Sequence, residues 1–210
     1  MQATSLTKTR YDRIAPVYDL IDFCCEWVAF KRWRKRVWDQ AEGIKILEVG
    51  VGTGKNMPYY PKKAQIIGID ISDKMLTRAR KRAVRLGTEV TLLPMDAQAL
   101  EFSEASFDCV VATFVFCSVP DPVLGLQEVR RVCRPGGRII LLEHMRPENE
   151  LFGRLADLFN PIFVRLWGAN LNRRTLENVH QAGLEIERVE TLVPSGLVKL
   201  IVARPIMRSS

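Results

Sequence analysis

Cysteine and histidine are scarce in this chain. Its 210 residues include five cysteines, two of them adjacent at Cys24 and Cys25, and only two histidines. No two cysteines have the Cys-x-x-Cys spacing of zinc and redox sites, and the spacings do not suit a disulfide framework. We therefore expect a reducing, cytoplasmic compartment and no bound metal.

Long apolar runs are missing as well. No stretch reaches the roughly 18 uninterrupted apolar residues of a transmembrane helix, and residues 1–11 lack the apolar centre and cleavage site of a secretory signal. A chain of 210 residues can form one domain with a full hydrophobic core. Its net charge of +7 indicates attraction to an anionic partner, either nucleic acid or a lipid surface.

Three glycines at alternate positions follow the first clear strand signal. The apolar run of residues 46–49 ends in Gly50, Gly52 and Gly54. This pattern predicts a buried strand and a turn whose backbone adopts positive φ and lies against a ligand. A second apolar run, residues 65–69, ends in Asp70. A carboxylate at the end of the neighbouring strand can bind the two hydroxyls of a ribose, so the sequence predicts a nucleoside-cofactor site.

Phosphate-binding motifs are incomplete at this turn. Lys55 stands where the dinucleotide fingerprint needs its third glycine, and Val49 and Asn56 replace the first glycine and the Ser or Thr of the phosphate loop. Carboxylates surround the turn instead, at Glu48, Asp70 and Asp96. Because carboxylates repel a diphosphate, they favour a cationic ligand with sugar hydroxyls and an exocyclic amine.

These features resemble those of the class I S-adenosylmethionine (SAM) methyltransferases. Residues 48–54 resemble the first motif of that family, Asp70 its ribose-binding acid, residues 95–97 its adenine-binding segment, and residues 134–137 the turn before its fifth strand. The resemblance implies an α/β fold with a doubly wound, mostly parallel seven-stranded sheet, helices on both faces and an antiparallel last strand. It also implies SAM as cofactor, S-adenosylhomocysteine as product and no metal.

The candidate site follows from the positions that match the family and from those beside them. The cofactor-binding candidates are Tyr11, Tyr18, Glu48, Gly50, Gly52, Gly54, Asp70, Ile71, Met75, Asp96, Ala97 and Thr113. The catalytic candidates are Tyr18, whose phenol oxygen can accept a hydrogen bond from a substrate amine, and His144, which can take a proton near neutral pH. The alternatives are that the tyrosines pack a helix onto the sheet and that His144 is structural.

The resemblance also implies a division of the single domain, residues 1–210. Residues 1–42 are expected to form a helical lid, residues 43–145 the cofactor-binding core, residues 146–175 a helical insertion on the substrate side, and residues 176–205 a closing helix and hairpin. The lid carries Tyr-x-x-x-Ala-x-x-Tyr-Asp at residues 11–19. This pattern resembles the lid of methyltransferases that act on quinones and on phospholipid head groups.

Two segments are amphipathic. Residues 23–38 place aromatic side chains on one helical face and basic ones on the flank and back, although Arg34 interrupts the apolar stripe. Such a helix lies either in an anionic bilayer interface or on the domain with a solvated basic back.

Residues 151–167 form a second apolar stripe, which Asn160 and Pro161 are expected to break into two helices. We expect this stripe either to contact an apolar substrate or a membrane, or to be buried against the sheet.

A helix is predicted over residues 72–86, with Ser72 or Asp73 as its cap, Gly87 as its end and an inward face of Met75, Leu76, Ala79 and Ala83. Other patterns predict a fourth strand over residues 107–118 and a last helix over residues 170–183. Methylases of nucleobase amines resemble one another in an Asn/Asp-Pro-Pro-Tyr/Phe segment after the fourth strand, where this chain has residues 113–116, Thr-Phe-Val-Phe. Cytosine-C5 methylases need a Pro-Cys pair, and Cys117 follows Phe116. We therefore expect no nucleic-acid partner.

The resulting prediction is a SAM-dependent methyltransferase with a small-molecule or lipid substrate. The lid, the two amphipathic segments and the positive charge look most like bacterial phospholipid N-methyltransferases, so the leading acceptor is the amine of phosphatidylethanolamine and its methylated intermediates. The alternatives are C-methylation of a demethylmenaquinone- or ubiquinone-type quinol, methylation of a small molecule or thiol, and SAM binding without turnover. Residues 23–38 are expected to make peripheral contact with an anionic membrane, on its inner face.

Overall fold

A computed structural model of the chain describes residues 4–13, 15, 30–147 and 149–206, with the backbone alone for Leu166 and Trp167. The strands are β1 (Lys45–Val49), β2 (Gln65–Asp70), β3 (Thr91–Pro94), β4 (Phe107–Thr113), β5 (Cys133–His144), β6 (Leu184–Thr191) and β7 (Val198–Pro205). The helices are α1 (residues 4–13), α2 (Lys31–Trp38), α3 (Asp73–Leu86), α4 (Pro122–Val132), α5 (Glu150–Trp167) and α6 (Thr175–Gln181), with a short 3-10 helix at Met57–Tyr59.

The seven strands form one sheet in the order β3-β2-β1-β4-β5-β7-β6. Strands β1 to β5 pair in parallel, whereas β7 runs antiparallel to both β5 and β6. The predicted doubly wound sheet with an antiparallel last strand is therefore confirmed. Because the chain leaves β1 towards β2 and later returns to β4 on the other side, the loops after β1 and β4 diverge and leave a crevice at the carboxyl edge of the sheet.

Helices cover both faces of the sheet. On one face, α2 packs through Val37 and Trp38, and α3 packs through Leu76 and Ala79. On the other face, residues of α4 and α6 join the inward side chains of β1, β4 and β5 in the largest apolar cluster. The central strands are apolar on both sides, as parallel strands between two helical layers require.

The helix predicted over residues 72–86 is confirmed in detail. Ser72 is its N-cap and accepts a hydrogen bond from the backbone N–H of Met75 at 3.2 Å. Gly87 ends it with a φ of 61°, in the left-handed region that glycine adopts without strain. The predicted inward face is buried, namely Met75, Leu76, Ala79 and Ala83.

Two predicted elements were too long. Strand β4 ends at Thr113 rather than at Ser118, because the backbone N–H groups of residues 115–117 donate to the Glu143 carboxylate instead of continuing the ladder. Helix α6 spans Thr175–Gln181 rather than residues 170–183. Residues 170–174 form a loop instead, because their backbone groups bond to other parts of the chain. Asn170 N–H donates to the Cys117 carbonyl at 2.9 Å, and the Arg173 carbonyl accepts from Arg146 N–H at 3.0 Å.

The predicted break at Asn160 and Pro161 is wrong, because α5 is one continuous helix with Pro161 inside it. Both ends of the helix are capped, by the Asn149 side chain and by Gly168 with a φ of 75°. The Asn160 side chain is anchored to residues beyond the helix, donating to Asn170 Oδ1 at 3.1 Å and accepting from Leu171 N–H at 2.9 Å. These contacts tie the residue before the proline to the segment that follows the helix.

The outer face of α5 is apolar and exposed. Six large apolar side chains on it are between 42% and 69% exposed, namely Leu151, Phe152, Leu155, Leu158, Phe159 and Ile162. Of the two interpretations of this stripe, burial against the sheet is therefore wrong for these residues. None of the helices described is both long enough and apolar enough to cross a bilayer.

Replacing Pro161 tests how α5 tolerates its proline. Pro161→Ala restores a backbone N–H that can donate to the Asp157 carbonyl, and a proline in a helix interior costs about 3 kcal/mol relative to alanine. We expect amide hydrogen exchange in residues 158–165 to slow at least about tenfold. Pro122→Ala is the matched control, because Pro122 lies in the first turn of α4, where no N–H bond is lost. Unchanged exchange in Pro161→Ala would contradict this account of the helix.

Candidate active site

A pocket lies at the carboxyl edge of the sheet, where the crevice between β1 and β4 opens. The empty space within it is about 710 Å³ with its opening to solvent included. The wall is built from the turn after β1, the end of β2, residues 95–97, residues 113–120 and α1. These are the parts of the chain from which the sequence predicted a cofactor site.

The glycine turn has the predicted backbone conformation, with φ of 69° at Gly50, 54° at Gly52 and 80° at Gly54. A Cβ at Gly50 would lie 2.4 Å from Val115 Cγ2, so this glycine allows close packing of the turn on the loop after β4. A Cβ at Gly52 would meet no heavy atom within 4 Å. Gly52 lines the pocket, so its missing side chain leaves main-chain atoms open to a ligand.

Asp70 joins the ends of β1 and β2. Its Oδ2 accepts a hydrogen bond from Gly52 N–H at 2.8 Å, and its Oδ1 accepts one from Ser72 N–H at 2.9 Å. Burial raises the pKa of this carboxyl to about 6, against the opposing effect of these two hydrogen bonds. Asp70 lines the pocket together with Ile71 and the buried Met75.

The predicted adenine-binding segment forms the adjoining wall. Asp96 and Ala97 line the pocket. Asp96 Oδ1 accepts hydrogen bonds from Gln98 N–H at 2.9 Å and from the Gln98 side chain at 3.1 Å. These bonds fix the orientation of the carboxylate. Thr113, at the end of β4, lines the same space.

Helix α1 covers one side of the pocket, as the lid prediction implies. Tyr11 lines the pocket, and its hydroxyl is 2.6 Å from Ser118 Oγ. Asp12 accepts a hydrogen bond from Ser72 Oγ at 2.6 Å, which ties the helix to the start of α3. Burial raises the pKa of the Tyr11 phenol above its usual range, so Tyr11 stays neutral. Tyr18 lies outside the described residues, and its roles stay predictions.

Glu48 and Gly54 lie beside the pocket rather than on its wall. The Glu48 carboxylate is fully buried and accepts hydrogen bonds from Asn56 Nδ2 at 2.5 Å and from the Tyr60 hydroxyl. Burial raises its pKa to about 7, whereas the two hydrogen bonds and the charge of Arg34 oppose that rise. Direct cofactor contacts by Glu48 and Gly54 therefore stay predictions.

His144 also lies behind the pocket wall. Its ring stacks on Phe114, which lines the pocket, with ring centroids 4.4 Å apart. Burial lowers the pKa of His144 to about 4, so the imidazole is neutral at physiological pH. Its Nδ1 is buried without a hydrogen-bond partner among the described residues. A role of His144 as proton acceptor stays a prediction.

Sequence reasoning assigned no role to two residues that shape this wall. Glu143 is fully buried, and its carboxylate accepts three backbone hydrogen bonds from residues 115–117, at 2.8, 2.9 and 3.3 Å. Burial raises its pKa to about 7. Phe114 has a φ of 58°, which is strained for an aromatic residue. In the sequence, Glu143 can be recognised by its position as a carboxylate near the end of an apolar central strand.

Comparison with known proteins identifies the family. Residues 47–141 match a family model described as a methyltransferase domain. A demethylmenaquinone methyltransferase of Thermus thermophilus is 36% identical over 149 residues, which are 68% of this chain and 68% of that protein. The chain belongs to the SAM-dependent methyltransferases.

Two further relatives of this methyltransferase support the assignment in different ways. A phosphatidylethanolamine N-methyltransferase of Cereibacter sphaeroides is 43% identical over 106 residues, 50% of this chain and 52% of that protein, so the match spans about half of that relative. The solved structure of a SAM-dependent methyltransferase from Thermotoga maritima has a TM-score of 0.73 and 22% identity, covering 94% of this chain and 99% of that one. The second likeness concerns the fold alone.

The residues of the pocket fit SAM. The open side of Gly52 leaves space at the main chain, Asp70 and Asp96 present carboxylate oxygens suited to the ribose hydroxyls and the adenine amine, and Met75 and Ile71 supply apolar surface. When bound, SAM supplies a methyl group on a positively charged sulfur. Because the leaving sulfide departs readily, the work of this chain's residues is to orient the acceptor and exclude water.

Two glycine substitutions separate backbone strain from cofactor contact. Gly52→Ala and Gly87→Ala each place a side chain at positive φ with no heavy atom within 4 Å, so each should cost about 1–2 kcal/mol of unfolding free energy. Only Gly52→Ala adds an atom inside the pocket, and only this variant should lose SAM affinity. Chemical denaturation and calorimetric titration with SAM measure the two effects. Equal SAM affinity in both variants would refute the assignment of this space to the cofactor.

The pKa of Asp70 predicts how SAM binding depends on pH. The ionised carboxylate is the form that accepts hydrogen bonds from two ribose hydroxyls, and its pKa in the folded protein is about 6. SAM affinity should therefore fall as the pH drops through about 6. Asp70→Asn should lower affinity at pH 8 about tenfold or more and remove this part of the pH dependence. Calorimetric titration between pH 5 and 8 tests this, and an Asp70→Asn variant with the wild-type pH profile would contradict it.

Proposed function

We propose that this methyltransferase transfers the methyl group of SAM to the amine of phosphatidylethanolamine and of its methylated intermediates. The observation that carries the proposal is the exposed apolar face of α5, defined by Leu151, Phe152, Leu155, Leu158, Phe159 and Ile162. A surface of this kind on a water-soluble domain fits an apolar partner, and a lipid acceptor would provide one.

Helix α5 is connected to the pocket through its other side, at Asn160. The Asn160 side chain donates to Asn170 Oδ1, and Asn170 Nδ2 donates at 2.8 Å to the carbonyl of Cys117, next to the pocket residue Ser118. At the end of α5, a Cβ placed on Gly168 would lie 3.8 Å from Tyr11 Cε2 of the lid helix. A lipid held at α5 would therefore have its head group near the pocket opening.

The charge of the chain supports a membrane partner with anionic lipid. Helix α2 exposes Lys31, Arg32, Lys35 and Arg36, while its other face packs on the domain. Of the predicted amphipathic segment 23–38, residues 23–29 lie outside the described part of the chain. We propose peripheral binding to the inner face of the membrane through this basic surface and α5. Co-sedimentation with vesicles tests this proposal. If the protein does not sediment with the vesicles, or if its binding depends on neither salt nor anionic lipid, the result argues against membrane binding.

An amine acceptor must lose a proton to attack the methyl group, so the proposal needs a proton acceptor. His144 is neutral at physiological pH because burial lowers its pKa to about 4. The ring of Phe114 separates it from the pocket. His144 is therefore both a weak base and shielded, so Tyr18 is our first candidate for this role, ahead of His144.

A second candidate function is C-methylation of a demethylmenaquinone-type quinol. It is favoured by the Thermus thermophilus demethylmenaquinone methyltransferase, which matches 68% of this chain at 36% identity. Labelled SAM offered with phosphatidylethanolamine vesicles, with a reduced demethylmenaquinone and with a thiol separates the candidates. We expect label in the ethanolamine lipid. Transfer to the quinol or thiol alone would overturn the proposal in favour of that acceptor.

Polar substitutions on α5 test how the lipid is reached. Leu151→Ser with Leu158→Ser removes two side chains that are 67% and 69% exposed. We expect the affinity for SAM to be unchanged. Methyl transfer to vesicle lipid should fall about tenfold or more, because each leucine buried in the membrane contributes roughly 1.5–3 kcal/mol to the contact. Val84→Ser on α3 is the matched control, since Val84 is 85% exposed. Full activity of the double variant on vesicles would contradict the role of α5.

A further inference from the structure

A buried arginine lies directly behind the cofactor pocket. Arg34 is the residue that interrupts the apolar stripe of α2, and it is 7% exposed, whereas Arg32 on the same helix is exposed. A guanidinium is costly to bury unless its charge and its N–H groups are compensated. Neither the assignment of the cofactor pocket nor the proposed methyl acceptor explains why an arginine is buried at this position.

Arg34 connects α2 to the pocket wall. Its Nη1 donates to Asn56 Oδ1 at 3.0 Å and to Thr113 Oγ1 at 3.3 Å. Its Cζ lies 5.9 Å from the centre of the Phe114 ring. Thr113 and Phe114 both line the pocket, so one side chain contacts two consecutive wall residues from behind.

The same network reaches the glycine turn through Glu48. Asn56 Nδ2 donates to Glu48 Oε1 at 2.5 Å and to Thr113 Oγ1 at 2.9 Å, and the Tyr60 hydroxyl donates to Glu48. Glu48 immediately precedes Val49 and Gly50, which lie on the pocket wall. The carboxylate of Glu48 and the guanidinium of Arg34 thus hold Asn56 between them.

The charges around Glu48 explain why Arg34 matters for this network. Burial raises the pKa of Glu48 to about 7, and the charge of Asp70 on β2 raises it further. The hydrogen bonds from Tyr60 and Asn56, and the charge of Arg34 on α2, act in the opposite direction. Loss of the Arg34 charge would therefore raise the pKa of Glu48 further. The protonated carboxyl that this favours carries an O–H donor on one oxygen, which changes the hydrogen bonds that this oxygen can make.

We propose that Arg34 is a positioning residue for SAM binding, which holds Thr113 and Phe114 at the pocket wall and Asn56 against Glu48 beneath the glycine turn. This inference goes beyond the methyl acceptor, since it concerns the cofactor side of the site. Its test measures SAM binding in the absence of any acceptor, so its failure and the failure of the phosphatidylethanolamine proposal are distinguishable.

The experiment compares Arg34→Met, Arg34→Lys and Arg32→Met by calorimetric titration with SAM between pH 6 and 9. Arg34→Met should bind SAM about tenfold more weakly at pH 7 and recover affinity only at higher pH, with the midpoint of the pH dependence moved up. Arg34→Lys keeps the charge but places it on a single ammonium without the planar guanidinium, so the bonds to Asn56 and Thr113 should weaken and affinity should fall without a shift of the midpoint. Arg32→Met should match the wild type.

Two results would overturn the proposal. One is wild-type SAM affinity in Arg34→Met. The other is an equal loss in Arg34→Met and Arg34→Lys with an unchanged midpoint, which is the behaviour of a residue that only supports the fold. If Arg34→Met does not fold, Glu48→Gln and Arg34→Lys carry the test. Glu48→Gln must then abolish the change of affinity around pH 7, and Arg34→Lys must weaken SAM binding.

Discussion

The hydrogen bond from Gly52 N–H to the Asp70 carboxylate, at 2.8 Å, is the contact on which the site depends. It joins the turn after β1 to the end of β2, two neighbouring parallel strands whose carboxyl ends meet at one edge of the sheet. The bond requires a positive φ at Gly52, which glycine adopts without strain. The second oxygen of Asp70 accepts a hydrogen bond from the N–H of Ser72, the N-cap of α3. One carboxylate therefore fixes the turn, the strand end and the following helix relative to one another.

The parts of the fold that depend on local sequence signals were predictable. Helix α3 followed from a serine cap, a glycine stop and an inward apolar face, and all three are present. The order of strands around the glycine turn followed from apolar runs that end in glycine or aspartate, together with the resemblance to a family. The cofactor side of the pocket was predictable for the same reason, because its residues directly follow strands in the chain.

The parts that depend on contacts between distant residues could not be predicted from one sequence. Strand β4 stops at Thr113 because Glu143, far along the chain, accepts the backbone hydrogen bonds that would otherwise extend the strand. Helix α5 continues across Pro161, and the bonds that hold the neighbouring Asn160 go to residues beyond the helix. Arg34 was visible as an interruption of an apolar pattern, but its partners Asn56 and Thr113 lie on other elements.

Charge is distributed unevenly between the whole chain and the surroundings of its pocket. The chain carries a net charge of +7, yet three carboxyl groups are gathered around its pocket, and burial raises the pKa of Glu48, Asp70 and Glu143 to between about 6 and 7. The folded-state pKa values lie above the ordinary ones, so these groups favour the folded protein most at low pH, and that contribution is lost as the pH rises through about 7. Near neutral pH these groups are partly ionised, and the positive charge of a sulfonium ligand would favour their ionised form, whereas a diphosphate would oppose it.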